Sequence, residues 1–263
     1  MTGRILIHAG FHKTGTTTVQ ATLEANRAAL RPHARIALRP RLQALLQAAR
    51  AYSTWRDPLS LTKVTIRAAP FFAGLTAFED RSLILSAEEL SGHMPGRAGI
   101  ADYGAAAQIL PEVVRAATAA WPGAEVTVAL TLRDPADWLR SAHWEHVKSS
   151  SMTEGFDSFA ERMRPAADLG AAAARIAADL HPVALHTVSL EQAAGGPLGP
   201  AAPLLRLAAV PDPVIAGLVP VPPANRSRDA LLGALLDINR SIADPRDRGI
   251  AKRRLLDGDR SAT

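Results

Sequence analysis

Residues 8–20, "HAGFHKTGTTTVQ", lie between a short apolar run and a helical pattern. The β-branched run Arg4 to Ala9 predicts a strand, and the residues from about Thr16 to Leu30 predict a helix. Strand, glycine-containing loop and helix, in this order, form the unit that holds phosphate groups at a helix N-terminus. This stretch therefore predicts an anion-binding loop at the end of a buried strand.

The glycines of the loop match only part of a known pattern. Gly10 and Gly15 bracket four residues, as in the pattern GxxxxGK[ST] of nucleotide-binding P-loops. Here Lys13 lies inside the loop, and Thr16 stands where that pattern has its lysine. Backbone amides, the Lys13 ammonium and nearby hydroxyls still converge on an anion. The hydroxyls belong to Thr14, Thr16, Thr17 and Thr18.

A second strand leads directly into a positive charge. Residues 125–132, "EVTVALTL", are the clearest predicted strand, and they are followed by Arg133 and by a helix to about Lys148. Asp134 before Pro135 is typical of a helix start. A magnesium-dependent phosphotransferase would need an acidic metal ligand near such a strand end. Because Asp134 suits capping better, we expect an anion site without a metal.

Further strands and helices alternate along the chain. Strands are predicted at 82–86 and 183–188, and helices at 41–52, 103–121, 156–163, 168–180, 225–242 and 245–256, with Pro111 starting or kinking its helix. This alternation predicts one α/β domain over residues 1–263, a three-layer α/β/α sandwich around a parallel sheet. Residues 195–223, rich in proline and glycine, are predicted to form a loop or flap.

Composition narrows the class of protein. The 263 residues are 48% hydrophobic and 21% charged, which favours a globular protein over a disordered one. No window approaches a membrane span, and the apolar start is too short for a signal peptide, so we expect a cytoplasmic protein. Without cysteine, thiol chemistry is excluded. The net charge of +5 favours anionic ligands, while few aromatics and no long basic run argue against nucleic acid.

Two motifs together resemble one enzyme family. "HAGFHKTGTT" is similar to the 5′-phosphosulfate loop of sulfotransferases that use 3′-phosphoadenosine 5′-phosphosulfate (PAPS), especially bacterial members with HxGxxKTGTT. "LTLRDPADWLRSAHWEH" resembles their 3′-phosphate motif, with Arg133 at a strand end and Ser141 eight positions later. "NRSRDALLGALLDINR", residues 225–240, resembles the closing helix of the bacterial group.

The resemblance implies a P-loop nucleotide-hydrolase-like sulfotransferase fold. The activity it implies is metal-independent transfer of a sulfuryl group from PAPS to a hydroxyl or amine of a small-molecule or saccharide acceptor, which leaves adenosine 3′,5′-bisphosphate. Lys13 would contact the leaving oxygen, and Arg133 and Ser141 would hold the 3′-phosphate. The 5′-phosphate would be held by Lys13, Thr14, Gly15, Thr16, Thr17 and Thr18.

The resemblance is incomplete toward the C-terminus. The glycine-rich RKG-type segment of the animal cytosolic enzymes is missing, so Arg226 or Arg228 would replace its grip on the 3′-phosphate. Asn225, Arg226 and Ser227 would close over the phosphates, and Trp144 is a candidate contact to the nucleotide.

A catalytic base is needed near the acceptor. In "LILSAEEL", residues 83–90, Glu88 is the first candidate and Glu89 the second, since family members carry a Glu or His near this strand end. His12 and His8 are alternatives because histidine can accept a proton near neutral pH. The same segment could instead be a helix N-cap at Ser86 with acidic residues in the first turn.

Two other functions remain open from the sequence. One is a P-loop kinase that uses ATP and magnesium on a small molecule, and the other is a non-catalytic module that binds a nucleotide or a sulfated ligand. A carboxylate or imidazole beside Lys13 would favour catalysis over binding alone. Residues 38–81 and 195–223 would shape the acceptor site, and the arginines between Arg35 and Arg67 weakly indicate an anionic acceptor. The sequence does not indicate an oligomeric state.

Overall fold

The computed structural model describes residues 3–76, 81–222 and 229–260. In this part of the chain the strands form one parallel sheet in the order β2-β3-β1-β4-β5. The strands are β1 Arg4–His8, β2 Ala34–Leu38, β3 Ser82–Ser86, β4 Glu125–Leu132 and β5 Ala184–Ser189. His8 and Leu38 both pair with Ser86, so the carboxyl ends of β1, β2 and β3 stand level at one edge of the sheet.

Helices fill the connections between the strands. They are α1 Thr16–Ala25, α2 Arg27–Leu30, α3 Arg39–Trp55, α4 Pro58–Ala73, α5 Ala106–Ala120, α6 Pro135–Ser149, α7 Phe156–Ala167, α8 Leu169–Leu180, α9 Leu190–Ala193, α10 Ala201–Leu207, α11 Asp212–Ala216, α12 Leu232–Ser241 and α13 Pro245–Arg260. Short 3₁₀ helices span Glu88–Ser91 and Asp229–Leu231. Within the described ranges, no helix combines the length and the apolar character needed to cross a membrane.

The sheet is covered on both faces, because successive side chains of a strand point to opposite sides. In β1, Ile5 and Ile7 pack into a core that includes residues of α3, α4, α5 and α8. Leu6 between them packs into a second core that includes residues of α1, α10 and α11. This arrangement confirms the predicted three-layer α/β/α sandwich with a parallel sheet.

The first predicted helix is interrupted. The pattern predicts one helix from Thr16 to Leu30, but the structure has α1 and α2 with Asn26 between them. The Asn26 amide nitrogen donates to the carbonyl oxygens of Thr22 and Val219, and its oxygen accepts from the Val219 amide at 2.8 Å. Asn26 therefore fastens α1 to residues far along the chain, a contact that no local pattern reveals.

Two elements between residues 31 and 81 were not predicted. β2 is a five-residue strand, and α4 begins at Pro58 with the Asp57 side chain accepting from the Ser60 amide. Asp57 and Pro58 repeat the helix start seen at Asp134 and Pro135, so the signal for α4 was present. Pro111, predicted to start or kink a helix, lies inside α5.

The prediction of a loop or flap over residues 195–223 is wrong for two stretches of that segment. The structure forms α10 and α11 there, and Leu204, Leu205 and Ile215 are buried in the second core. Apolar side chains spaced three and four apart outweigh the surrounding proline and glycine because their burial stabilises the helices. Helices α10 and α11 therefore form part of the second hydrophobic core.

Candidate active site

A cavity of about 860 Å³ opens at the carboxyl edge of the sheet. Such edges are where open α/β sheets bind ligands. We call the part next to β1, β4 and β5 the loop half; it is lined by Arg133, Ser141 and the loop residues His12, Lys13, Gly15, Thr16, Thr17 and Thr18. We call the part beyond β2 and β3 the arginine half, lined by Arg39, Arg50, Glu88, Glu89, His93, Met94 and Arg97.

Cations outnumber carboxylates around this cavity. Among the described residues, six lysine and arginine side chains and three carboxylates line it. The cations are Lys13, Arg39, Arg50, Arg97, Arg133 and Lys148, and the carboxylates are Glu88, Glu89 and Glu145. An excess of positive charge in a concave, partly desolvated site favours an anionic ligand.

The carbonyl oxygens of the loop are bound by donors from the surrounding protein. Ser91 Oγ donates to the carbonyl of Gly10, and Trp138 Nε1 donates to that of His12 at 2.9 Å. Arg133 Nη1 donates to the carbonyl of Lys13 at 3.0 Å. Because these acceptors are already occupied, the carbonyl oxygens do not repel an anion that approaches the backbone amides.

Left-handed backbone at three positions curls the loop. Gly10, Lys13 and Gly15 have φ of 47°, 67° and 91°. A Cβ atom at Gly10 would lie 2.7 Å from Thr16 Oγ1, and one at Gly15 would lie 2.8 Å from Leu190 Cδ1. Successive turns of this kind direct amide groups into a concavity that binds anions. At Lys13 the conformation costs on the order of 1–2 kcal/mol, since a non-glycine residue is disfavoured there.

Helix α1 begins at this loop without a side-chain cap. Its N-cap residue is Gly15, which has no side chain that could cap the first turn of the helix. Thr16, Thr17 and Thr18 line the cavity at this N-terminus, where the helix dipole favours an anion. Four free amides at a helix start are normally satisfied by a cap, water or ligand.

Thr14 does not direct its hydroxyl to the cavity, which corrects one expectation. Its side chain is buried, and Oγ1 donates to the Phe11 carbonyl at 2.6 Å and lies 2.5 Å from Thr131 Oγ1. The hydroxyl therefore braces the loop against β4. Only the backbone amide of Thr14 is left as a group that could reach an anion.

Lys13 is paired with a carboxylate that the sequence analysis did not single out. Its Nζ lies 3.0 Å from Glu145 Oε2, and Lys148 Nζ lies 2.8 Å from the same oxygen. Burial raises the pKa of Glu145, but the charges and hydrogen bonds of the two lysines outweigh it, and that pKa is about 2. Glu145 is thus a permanent anion shared by two ammonium groups.

Arg133 and Ser141 lie where their motif places them. Arg133 follows β4 directly, and Ser141 is on α6, two turns beyond the helix start. Both line the same half of the cavity as Lys13. Since one Arg133 nitrogen is used on the loop carbonyl, the arginine can hold the loop and still present other N–H groups to a ligand.

Trp144 is not part of this cavity, so the expected contact to a nucleotide is wrong. It is buried in a small core with Val147, Leu235 and Leu236, which joins α6 to α12. On helices a tryptophan is more often buried in this way than exposed to a ligand. Trp138, on the same helix, supports the loop through its indole, and the predicted helix was the only sequence feature that pointed to it.

The two glutamates after β3 have different environments. Glu88 lines the cavity, with Oε2 accepting from Gln20 Nε2 at 2.9 Å and Oε1 at 3.6 Å from Arg39 Nη1. Glu89 is buried, and its Oε1 pairs with Arg39 and with Arg50. Burial, and then the charge of Glu88, raise the pKa of Glu89 despite the two arginines.

The segment is not the helix N-cap that the sequence left open. The 3₁₀ helix has Ala87 at its N-cap position with no side-chain hydrogen bond. Ser86 instead lies 2.8 Å from His8 Nδ1 across the sheet. Glu88 is therefore oriented by Gln20 and Arg39 and not by a role in capping.

The two histidine candidates have environments that disfavour protonation. Burial and the neighbouring His93, Arg97, Arg39 and Lys13 lower the pKa of His12 to about 3. Burial lowers the pKa of His8 to about 4, against a small opposing effect of Glu88. His8 is fully buried behind the loop, so its ring does not line the cavity. The expectation that histidine acts here at its ordinary pKa is wrong.

Several cavity residues were not singled out by the sequence analysis. Arg39 and Arg50 were noted only as part of a group of arginines, and His93, Arg97, Glu145 and Lys148 were not assigned. Arg39 had a recognisable signal, since Arg39 and Pro40 start α3 just after β2. The others come from elements whose relative placement the sequence does not reveal.

Metal ligands are not grouped in the described part of the chain. No set of three or more His, Asp or Glu side chains there is arranged to hold a metal ion. Asp134, the one acidic residue offered as a metal ligand, accepts from the amides of Ala136 and Asp137 and caps α6. The four residues expected over the phosphates, Asn225, Arg226, Ser227 and Arg228, lie outside the described residues.

Comparisons with known proteins add a structural likeness. No model of a protein family matches the sequence, and no curated protein matches it. The chain is similar to a crystal structure of a sulfotransferase from Alicyclobacillus acidocaldarius, with 16% sequence identity and a TM-score of 0.46. The similarity covers 89% of this chain and 91% of that one. The function proposed below rests on the residues of the cavity.

Proposed function

We propose that this protein is a sulfotransferase that uses PAPS as donor and an acceptor hydroxyl or amine. The observation that carries the proposal is the joint placement of Lys13, Arg133 and Ser141 in one half of a cavity whose other half presents Glu88. Groups suited to phosphate and a candidate base thus line one cavity. Either set alone would fit a simpler binding protein.

The loop half has the chemistry that a nucleotide with two separate phosphate sites needs. The uncapped amides of α1 and the Lys13 ammonium suit a 5′-phosphosulfate. Arg133 and Ser141, which come from a different strand and helix, suit the 3′-phosphate, since a guanidinium can donate two parallel hydrogen bonds to phosphate. Apolar residues of the same half, among them Leu190 and Leu198, offer a surface for the adenine ring.

When bound, PAPS supplies the sulfuryl group, whose bond to the 5′-phosphate oxygen breaks as a bond to the acceptor oxygen or nitrogen forms. Lys13 holds positive charge beside that departing oxygen, and the α1 amides stabilise the charge that develops on the 5′-phosphate. Arg133 fixes the carbonyl of Lys13 and so positions the residue whose side chain does this. Groups held in place before the reaction stabilise the transition state without further reorganisation.

Glu88 is the base in this proposal. It takes the proton of the acceptor while Gln20 and Arg39 orient its carboxylate. Glu89 is less suited because its Oε1 is occupied by two arginines. His12 is less suited because burial and the neighbouring cations, which lower its pKa to about 3, disfavour the imidazolium that proton uptake would form, and His8 does not line the cavity.

The alternatives receive less support from this site. A kinase would place an acidic metal ligand near the loop, and Asp134 is used as a helix cap. A non-catalytic module would have no need of a carboxylate in the arginine half of the cavity, and Glu88 lines that half.

The test is calorimetric titration with adenosine 3′,5′-bisphosphate in the presence of a chelator, on the wild type and on Arg133→Ala. We expect metal-free binding that the variant weakens by about 1.5–3 kcal/mol, the usual contribution of a hydrogen bond to a charged group. Arg140→Ala, which alters an exposed arginine of α6 paired with Asp137, is the matched control and should bind normally. Binding only of ATP with magnesium would support the kinase instead.

A further inference from the structure

The arginine half differs in chemistry from the loop half. Among the described residues that line the arginine half, Met94 is the only apolar side chain, and it is itself buried. The loop half, in contrast, includes Leu190, Ala194, Leu198 and Val221. An aromatic or aliphatic acceptor is held mainly by apolar contacts, so it has little to bind in the arginine half.

Two of the arginines there are held in fixed positions. Glu89, whose side chain is 5% exposed, pairs through one oxygen with both Arg39 and Arg50. Arg39 Nη1 also lies 3.6 Å from Glu88, the proposed base. Planar guanidinium groups oriented by a buried carboxylate present their remaining N–H groups in defined directions, which is a preorganised set of donors.

Arg97 adds a charge that has no acidic partner in the described part of the chain. It lines the cavity and forms no ion pair with any described carboxylate. Its loop is anchored on both sides, since His146 Nε2 donates to the Pro95 carbonyl at 2.8 Å and the Gly96 amide donates to the carbonyl of Ile100. Arg97 is thus an exposed but anchored cation at the rim of the arginine half.

Neutral polar groups accompany these charges. Burial, followed by the charges of Arg97 and Arg50, lowers the pKa of His93 to about 4, so its imidazole is neutral at pH 7 and can both donate and accept. Glu88, in the same half, is an acceptor and already accepts a hydrogen bond from Gln20. Donors and acceptors interspersed in this way suit a ligand with several hydroxyl groups.

We infer that the acceptor is an acidic saccharide, a hydroxyl-rich molecule with a carboxylate that Arg97 and Arg50 bind while one of its hydroxyls faces Glu88. This inference rests on the proposed function and names the class of its acceptor. In the transfer, the hydroxyl oxygen takes the sulfuryl group, its proton goes to Glu88, and adenosine 3′,5′-bisphosphate leaves. The carboxylate contacts set which hydroxyl lies next to Lys13.

The experiment compares two probes that differ by one charge. Protein saturated with adenosine 3′,5′-bisphosphate is titrated by calorimetry with an unsulfated disaccharide that contains glucuronic acid, and with the methyl ester of the same disaccharide. We expect the acid to bind about tenfold more tightly than the ester, as for the loss of a hydrogen bond between charged groups. Sulfation of both probes from radiolabelled PAPS is measured in parallel.

Variants locate the effect in the arginine half. Arg97→Gln should weaken binding of the acid about fivefold to tenfold and leave the ester and adenosine 3′,5′-bisphosphate unaffected. Arg67→Gln, an exposed arginine of α4 outside the cavity, is the matched control and should change neither probe. Because Arg97 is exposed, its substitution is not expected to unfold the protein, which circular dichroism would verify.

The outcomes separate the two proposals. If wild type does not bind adenosine 3′,5′-bisphosphate, the proposed function fails and takes this inference with it. If that nucleotide binds but acid and ester bind equally, or neither binds, the acidic-saccharide inference alone is overturned. Preference for p-nitrophenol over both disaccharides, or an Arg97→Gln variant that binds the acid as the wild type does, would overturn it as well.

Discussion

The two halves of the cavity are built in different ways. The loop half is organised by backbone: the carbonyl groups of Gly10, His12 and Lys13 accept from surrounding donors, and the first turn of α1 has no side-chain cap. The arginine half is organised by side chains. Glu89 pairs with Arg39 at the start of α3 and with Arg50 further along the same helix. A backbone site binds one shape of anion, whereas a side-chain site can change its ligand by substitution.

Removal of the Lys13 side chain, in the loop half, should have the largest effect on activity. Lys13→Ala removes the cation beside the leaving oxygen, and we expect kcat to fall about a thousandfold, as for loss of one preorganised group that stabilises transition-state charge. Lys63→Ala, on the exposed surface of α4, is the matched control. Sulfation from radiolabelled PAPS measures both. An unchanged kcat in Lys13→Ala would remove Lys13 from the chemistry.

Substitution of the two neighbouring glutamates should distinguish a residue that acts in catalysis from one that stabilises the fold. Glu88→Gln keeps the shape of the side chain but cannot accept a proton, so kcat should fall about a hundredfold while the Kd of adenosine 3′,5′-bisphosphate stays unchanged. This result would assign the base to the arginine half and nucleotide binding to the loop half. A weaker nucleotide affinity in this variant would contradict that division.

Glu89→Gln serves as the contrasting variant. Glu89→Gln keeps an oxygen acceptor but loses the charge that pairs with two arginines. Burial opposes that charge, as the raised pKa of Glu89 indicates, so we expect the free energy of unfolding to fall by only about 1 kcal/mol. Urea unfolding of the two variants measures this difference. Equal stability of Glu88→Gln and Glu89→Gln would show that Glu89 does not support the arginine half.

His8 lies behind the boundary of the two halves and should make stability depend on pH. Its pKa is about 4 in the folded protein because of burial, so between about pH 6.5 and pH 4 the unfolded chain binds a proton that the folded chain does not. The free energy of unfolding should therefore fall as the pH decreases, by about 2 kcal/mol from this group between neutral pH and about pH 4.5.

Substitution isolates the contribution of His8 from those of the other histidines. Urea unfolding of His8→Gln should show a smaller loss of stability between the two pH values than the wild type shows. His186→Gln, at an exposed position of β5, should behave like the wild type and is the control. The same pH dependence in all three proteins would refute the assignment to His8.

The smallest expected effect is on nucleotide affinity in the loop half. Glu145 lies 3.0 Å from Lys13 and competes with an incoming anion for its charge. Glu145→Gln should therefore tighten binding of adenosine 3′,5′-bisphosphate about fivefold, close to 1 kcal/mol, the upper range for a partly exposed ion pair. Calorimetry measures this change. Weaker binding in the variant would mean that Glu145 serves to position Lys13 for the ligand.

The elements of the fold differ in how well they can be predicted from the sequence. Strand β1, the glycine loop, the start of α1, strand β4 and the Asp134 cap were predictable because each depends on residues within a few positions. β2 and α4 were missed, since a five-residue strand gives little periodicity and the Asp57 signal was not used. The loop predicted at 195–223 was wrong because burial against α1 overrides proline and glycine content.

Within the site, too, features that depend on local sequence could be predicted, and features that depend on tertiary packing could not. Residue types and spacing indicated an anion-binding loop with Lys13 and a cation at Arg133, and the resemblance to sulfotransferases added Ser141. Only the packed structure showed that Thr14 turns inward, that Trp144 belongs to a core, and that Glu145 pairs with Lys13. These depend on which elements lie against each other.

The sequence by itself determined the kind of ligand group that the loop can hold, because glycine, threonine and lysine at fixed spacing act through their own backbone and first helical turn. The tertiary structure alone decided the protonation of His8 and His12, the pairing of Glu89 with Arg39 and Arg50, and the place of Arg97. Desolvation and charge pairing depend on distances between residues far apart in the chain, and folding sets those distances.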